Sequence, residues 1–237
     1  MTLMLHSGAS PVSYDDLRAV KTPGATESHI PVPHHEIVQL LRYTLGFYGH
    51  EIVQEDHALM PDGQRYFGLM TLRSNYGEYG DVVGLRNSHD KSFPIGIALG
   101  SRVFVCDNLA LIGEHIIKRK HTSKAKKELP GLITEIVAPL QEQRLAQNQK
   151  LVAYQGSTLS DLQADHAIME MYRREVIGVQ AIGHVLKAYN EPPHDWGDRT
   201  AWRLWNAATF CLAGKVAERP ALTKELHNVI DGVCTVH

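Results

Sequence analysis

Two stretches of this chain gather side chains that could do chemistry. The first, Lys118-Arg119-Lys120-His121-Thr122-Ser123-Lys124-Ala125-Lys126-Lys127, places six Lys or Arg in ten positions, with no acid before Glu128. Such a run can neutralise phosphates and release their counterions. The hydroxyls of Thr122 and Ser123, beside a helix start, would add neutral donors. The plain alternative is a solvated basic segment without a partner. The second stretch, Arg86-Asn87-Ser88-His89-Asp90-Lys91, is polar throughout and falls between two predicted strands. His89 beside Asp90 has the makings of an oriented general base. Sequence neighbours rarely point together, however, and no third group is identifiable. The competing reading is a turn in which Asn87, Ser88 and Asp90 bond their own backbone.

Other candidates are weaker. Trp202 and Trp205 share one face of a predicted helix, with Trp196 and Tyr189 before them; a buried helix contact explains them, and base stacking on an exposed ring is the alternative. The 14 histidines contain no HxH or HExxH spacing, and they read as polar surface residues with no metal site. Cys106, Cys211 and Cys234 are far apart, odd in number and without CxxC, which argues against a disulfide framework or a cysteine-bound zinc. Cys106 reads as a core residue at a strand end. No GxxxxGK[ST], GxGxxG after a strand, or GxSxG occurs, so an ATP-driven activity is not expected. The acid pairs Asp15-Asp16 and Glu55-Asp56 have no neighbouring site features and do not support a two-metal nuclease.

The elements that must position these groups follow from periodicity. Residues 1–33, with Pro23, Pro31 and Pro33 and no sustained period, predict an extended N-terminal arm. Ile37, Leu40, Leu41 and Leu45 predict a helix over 35–48. Two strands, Glu51–Met60 and Arg65–Arg73, flank the turn residues Pro61 to Gln64. After a Gly-rich turn from Asn75 to Gly80 come strands at Val82–Asn87, Phe93–Leu99 and Arg102–Cys106. Leu109–Lys118 reads as a short helix. One helical stripe then runs to about Gln149, starting near Leu129 because Pro130 is tolerated only in a first turn. A helix capped by Ser160 or Asp161 runs to Tyr189, another is capped by Asp198, and a last one by Thr223. The fold class is therefore α+β: an antiparallel β-meander of four or five strands packed against helices on one sheet face, with a helical C-terminal part. The expected division is arm 1–33, α+β core 34–155 and helical subdomain 156–237.

A chain of 237 residues, 43% hydrophobic and 21% charged, can build a sizeable core. Its formal net charge of -2 means that any nucleic-acid contact must come from a local patch. The first residues lack a basic start followed by an apolar run, so no signal peptide is expected. No stretch approaches the ~18 apolar residues of a membrane span. A cytoplasmic setting is expected.

The order of the motifs resembles a known family. A Pro33-His34-His35-Glu36 helix start precedes Arg86-Asn87-Ser88-His89-Asp90, then Arg102-Val-Phe-Val-Cys106-Asp-Asn108, then Lys118-Arg-Lys-His121-Thr122, and last Thr200-Ala201-Trp202-Arg-Leu-Trp205-Asn206-Ala207. Over roughly residues 30 to 215 this is similar to the phage- and plasmid-related family catalogued as domain of unknown function 932. Arg203 and Phe210-Cys211-Leu212 depart from that family's usual small and polar residues. The resemblance implies mobile-element biology within a bacterial or phage-infected cell and supplies no activity. Helix, meander and following helix also suggest, by fold analogy alone, the core of phage single-strand annealing proteins. The function expected on this basis is ATP-independent binding of single-stranded nucleic acid, extending to strand annealing, by a homo-oligomer or ring without cofactor. Lys118, Arg119, Lys120, His121, Lys124, Lys126 and Lys127 would meet phosphates, and Arg86, Asn87 and His89 would line the same groove. Two alternatives stand beside it: a protein-binding module that blocks a host defence complex, and a hydrolase centred on His89 and Asp90 with His121 and Cys106.

Overall fold

The computed structural model describes residues 8–74, 79–103, 109–212 and 221–234, with backbone alone at 101–103, 109–117 and 221. One antiparallel sheet carries β1 (Ser10–Val12), β2 (Ile52–Leu59), β3 (Arg65–Leu72), β4 (Tyr79–Ser88), β5 (Ile95–Val103) and β6 (Leu109–Arg119) in sequence order. The fold class is α+β, as the periodicity predicts, with six strands where four or five were expected.

The outer strands β1 and β6 are additional, and the strands expected at Phe93–Leu99 and from Arg102 onward begin as one continuous strand, β5. Leu109–Lys118 is not a helix: β6 pairs with β5 from Arg102↔Leu109 to Ile95↔Arg119. A short apolar run fits either period, and the β-branched Ile116 and Ile117 favour the extended form. The arm also differs from expectation. Val12 pairs with His57 in β2, and α1 (Tyr14–Ala19) follows, with Ser13 and Asp16 forming a capping box. Leu17 of α1 is completely buried.

Strand alternation divides the core in two. Met70, Leu72, Val83, Leu85 and Ile97 share one cluster with Leu17 and with α2 (His34–Phe47) and α3 (Ala125–Val137). Val82 and Ala98, one position out of phase with Val83 and Ile97, join a second cluster. That cluster is built by α4 (Leu140–Gly156), α5 (Asp161–Arg173), α6 (Val179–Asn190), α7 (Ala201–Leu212) and α8 (Ala221–Val233). Helices thus cover both sheet faces rather than one. Buried Asp81 of β4 and partly buried Arg144 of α4 tie the sheet to these helices with an ion pair of 2.6 Å.

Helix boundaries follow local chemistry. Pro139 separates α3 from α4 where one helix was expected. Pro130 lies inside α3, which starts a turn earlier than predicted, at the loss of one main-chain bond. Ser160 caps α5 through a box with Gln163, as read from the sequence, but the helix stops at Arg173 and resumes at Val179. The positive φ of Glu175, 57°, marks the break. Asp198 is not the cap of α7: Thr200 Oγ1 accepts from Arg203 N. Thr223 is buried inside the first turn of α8 rather than before it. Cys106 and the turn at 75–78 lie outside the described residues.

Candidate nucleic-acid interface

The basic run occupies the end of β6, a short connection and the first turn of α3. Lys118, Lys120, Lys124 and Lys127 are exposed, and no ion pair engages them among the described residues. Arg119 is different: it pairs with Glu128 at 2.5 Å and donates to Thr122 Oγ1 at 3.2 Å. Lys126 pairs with Glu36 of α2 at 2.7 Å. The run therefore separates into four free ammonium groups and two cations that already have carboxylates.

Its remaining member, His121, is buried and faces a cluster that sequence spacing gave no hint of. The Pro31-Val32-Pro33 segment has a single main-chain N–H, because proline has none. That N–H, on Val32, donates to His121 Nδ1 at 3.0 Å. The Val32 carbonyl accepts from Asn87 Nδ2 at 2.9 Å and from His89 Nε2 at 3.0 Å. Asn87 Nδ2 also reaches His34 Nδ1 at 2.9 Å, while His34 Nε2 donates to the carbonyl of Gly63 at 3.1 Å. His29 Nε2 donates to the carbonyl of His89 at 3.0 Å. Four imidazoles and one carboxamide thus clamp the chain that enters α2. Among the described residues, Asn87 Oδ1, His89 Nδ1 and His121 Nε2 are buried without a partner.

The electrostatics follow from these contacts. Burial, reinforced by the neighbouring His89, holds His34 down at about 3. Burial, with His29 and His89 nearby, holds His121 at about 4. His89 is lowered mainly by burial. All three are neutral at physiological pH, and the hydrogen bonds fix their tautomers: Nδ1 accepts on His34 and His121, and Nε2 donates on His89. The expectation of surface histidines is corrected. His29, His34, His50, His57, His89, His121 and His227 are all buried.

The Arg86–Asp90 stretch is divided by the strand. Asn87 points into the histidine cluster, whereas Arg86, one residue earlier, lies on the opposite face with its guanidinium 5.1 Å from the Phe93 ring. Arg86, Asn87 and His89 therefore do not line one groove, and fully buried Asn87 meets no solvent. His89 makes no hydrogen bond to Asp90. That carboxylate instead accepts from Ser88 Oγ at 2.8 Å and Ser92 N at 3.0 Å and lies 3.3 Å from Arg65 Nε. Ser88 and Asp90 make the turn read from the sequence; Asn87 does not take part. The three tryptophans are buried, so none is a stacking platform.

Beside the run lies a cavity of about 360 Å³ between the β4–β5 loop, the arm and residues 120–122. Lys91, Lys120, Thr122, Ser28, His121 and Phe93 contribute to its walls. Of these, Ser28 and Phe93 carried no signal in the sequence, because only folding brings them to the basic segment. Among the described residues, no group of three His, Cys, Asp or Glu is arranged to hold a metal, and no helix is long and apolar enough to cross a membrane. In comparisons with known proteins, no family model, curated protein or solved structure matches the chain.

Proposed function

We propose that the protein binds single-stranded nucleic acid without ATP, through the surface around Lys118, Lys120, Lys124 and Lys127. The observation that carries this reading is the set of four exposed ammonium groups between the end of β6 and the first turn of α3, none of them paired with a carboxylate among the described residues. Arg119 and Lys126, already paired with Glu128 and Glu36, are not assigned to this surface. Motif order resembling the phage- and plasmid-related family supports a role in mobile-element biology, where strand annealing by a homo-oligomer is the fuller form of the proposal. The exposed rings of Tyr43 and Phe47, one turn apart on α2, support self-association. In that form, Tyr43→Ser with Phe47→Ser lowers the mass seen in light scattering.

The deciding experiment is a titration of labelled single-stranded oligonucleotide at low and moderate salt. Four phosphate contacts on a single strand imply a log–log salt slope of about −2.8, or a loss of ~50-fold in affinity for a fourfold rise in salt. Changing Lys118, Lys120, Lys124 and Lys127 to Ala removes the binding and leaves the two structural pairs intact. Salt-insensitive binding, or none at low salt, sinks the proposal. Capture of a specific host protein by a chain that binds no oligonucleotide would point to the protein-binding alternative.

A further inference from the structure

We infer that the cavity bounded by Lys91, Lys120 and Phe93 is a subsite for one phosphodiester of the bound strand, an inference that rests on the strand-binding proposal. The chemistry of its walls selects for an acceptor-rich anion. Lys91 and Lys120 supply two ammonium groups. Thr122 Oγ1 already accepts from Arg119 Nη2, so its own proton is directed elsewhere. His121 accepts a hydrogen bond at Nδ1 from the Val32 N–H, which leaves the proton of its neutral ring on Nε2. That Nε2 is buried with no acceptor among the described residues, in a side chain that is itself 4% exposed. Lys91, Lys120 and Thr122 can each donate into the cavity, and the His121 proton has no acceptor among the described residues. The carboxylate of the loop, Asp90, is already engaged by Arg65 and by hydrogen bonds from Ser88 and Ser92.

Size and shape agree with one nucleotide unit. About 360 Å³ is at the lower end of small-ligand sites. Phe93 gives the cavity an apolar wall against which a sugar or base can rest. Its half-buried ring is held from behind by Phe67, with 5.5 Å between centroids. Lys91 carries a second signature. It sits at φ 67°, a left-handed conformation that is sterically costly for any residue with a Cβ and free for glycine. A lysine kept at such a position is the kind of backbone outlier that points to a functional role.

The test uses the full chain with histidine rings labelled in ¹⁵N and two probes, the dinucleotide TpT and inorganic phosphate. Saturable movement of the His121 ring signals with TpT, weaker with phosphate alone, supports the subsite. Lys91→Gln, which keeps the stem and loses the charge, abolishes that movement and makes the oligothymidylate salt slope shallower by about 0.7. Phe93→Ala weakens TpT more than phosphate. If the His121 signals stay still and Lys91→Gln leaves the slope unchanged while oligothymidylate still binds, the subsite is refuted and the strand-binding proposal stands. If TpT moves His121 but a variant with only Lys118, Lys124 and Lys127 changed to Ala binds oligothymidylate as the wild type does, the subsite stands and the surface proposal falls.

Discussion

The imidazoles of His34 and His89 lie stacked, 3.9 Å between ring centroids and 11° from parallel. One opens α2 and the other directly follows β4, so this stack, with Asn87 bonded to His34 beside it, fixes α2 on the sheet at the end nearest the basic run. Two rings so placed, with His121 nearby, cannot all be charged, and this shapes how the fold responds to acid.

The folded-state affinities of His34, His121 and His227 for protons are depressed to about 3, 4 and 4, in each case chiefly by burial. An unfolded histidine titrates near 6.5. Above that value neither state is protonated and the stabilisation is complete. As pH falls from about 6.5 towards 4, the unfolded chain takes up protons that the native rings refuse, so stability declines. Between pH 7 and pH 5.5 each ring costs about 1 kcal/mol. Urea midpoints should drop steadily over this window, and His227→Gln should flatten the decline. A midpoint constant down to pH 5 would refute the burial of these rings.

Asn87 is completely buried and serves Val32 and His34 with one amide group. Asn87→Leu leaves His34 Nδ1 without its donor inside the cluster. With about 1–3 kcal/mol for each group left unsatisfied, a loss of about 3 kcal/mol is expected in denaturant unfolding. Asn87→Asp should be no better, because a carboxylate cannot donate to His34 or to the Val32 carbonyl.

A Cβ on Gly68 would fall on the phenol oxygen of Tyr66, which lies along the strand and reaches His57 Nδ1 at 2.9 Å. Gly68→Ala should therefore destabilise by about 1–3 kcal/mol, the usual cost of overpacking. The same change in a Tyr66→Phe background should cost less, since the nearest clashing atom is gone. Equal costs in the two backgrounds would show that Tyr66 is not what excludes the side chain.

How much of this was legible beforehand differs by element. The meander was readable because Tyr66, Gly68, Met70 and Leu72 alternate with Phe67, Leu69 and Thr71, and period two leaves little choice. β6 was not, because its pairing with β5 is a tertiary fact and its short apolar runs, Leu109 to Ile112 and Ile116-Ile117, suit either structure. The basic run was visible in full, but only folding could show that Glu128 and Glu36 claim two of its cations. The histidine clamp was hidden for the same reason. His29, His34, His89 and His121 come from four separate segments, and burial cannot be read from residue type. Its one trace in the sequence is Pro31-Val32-Pro33, a segment with a single N–H to satisfy.

Arg144 is the brace between the sheet and the C-terminal helices. It lies 2.6 Å from Asp81, donates to the Arg73 carbonyl at 2.6 Å and reaches His50 Nδ1 at 3.3 Å. Burial pushes the Asp81 carboxyl up, against the pull of Arg144. Arg144→Leu leaves Asp81 buried and alone, and should cost about 3–5 kcal/mol. Adding Asp81→Leu should recover much of that loss, which a thermal-melt double-mutant cycle would register as strong coupling.

Lys91 allows stability and binding to be set against each other. At φ 67° a side chain costs about 1 kcal/mol relative to glycine, partly offset by the greater freedom of glycine in the unfolded chain. Lys91→Gly should leave the fold as stable as the wild type or up to about 1 kcal/mol more so, while weakening oligonucleotide binding. A substitution that relaxes the backbone and still impairs the protein would mean that the lysine is held there for its charge. Should Lys91→Gly instead lower stability with binding unchanged, the side chain is part of the packing of the β4–β5 loop and its ammonium meets only water.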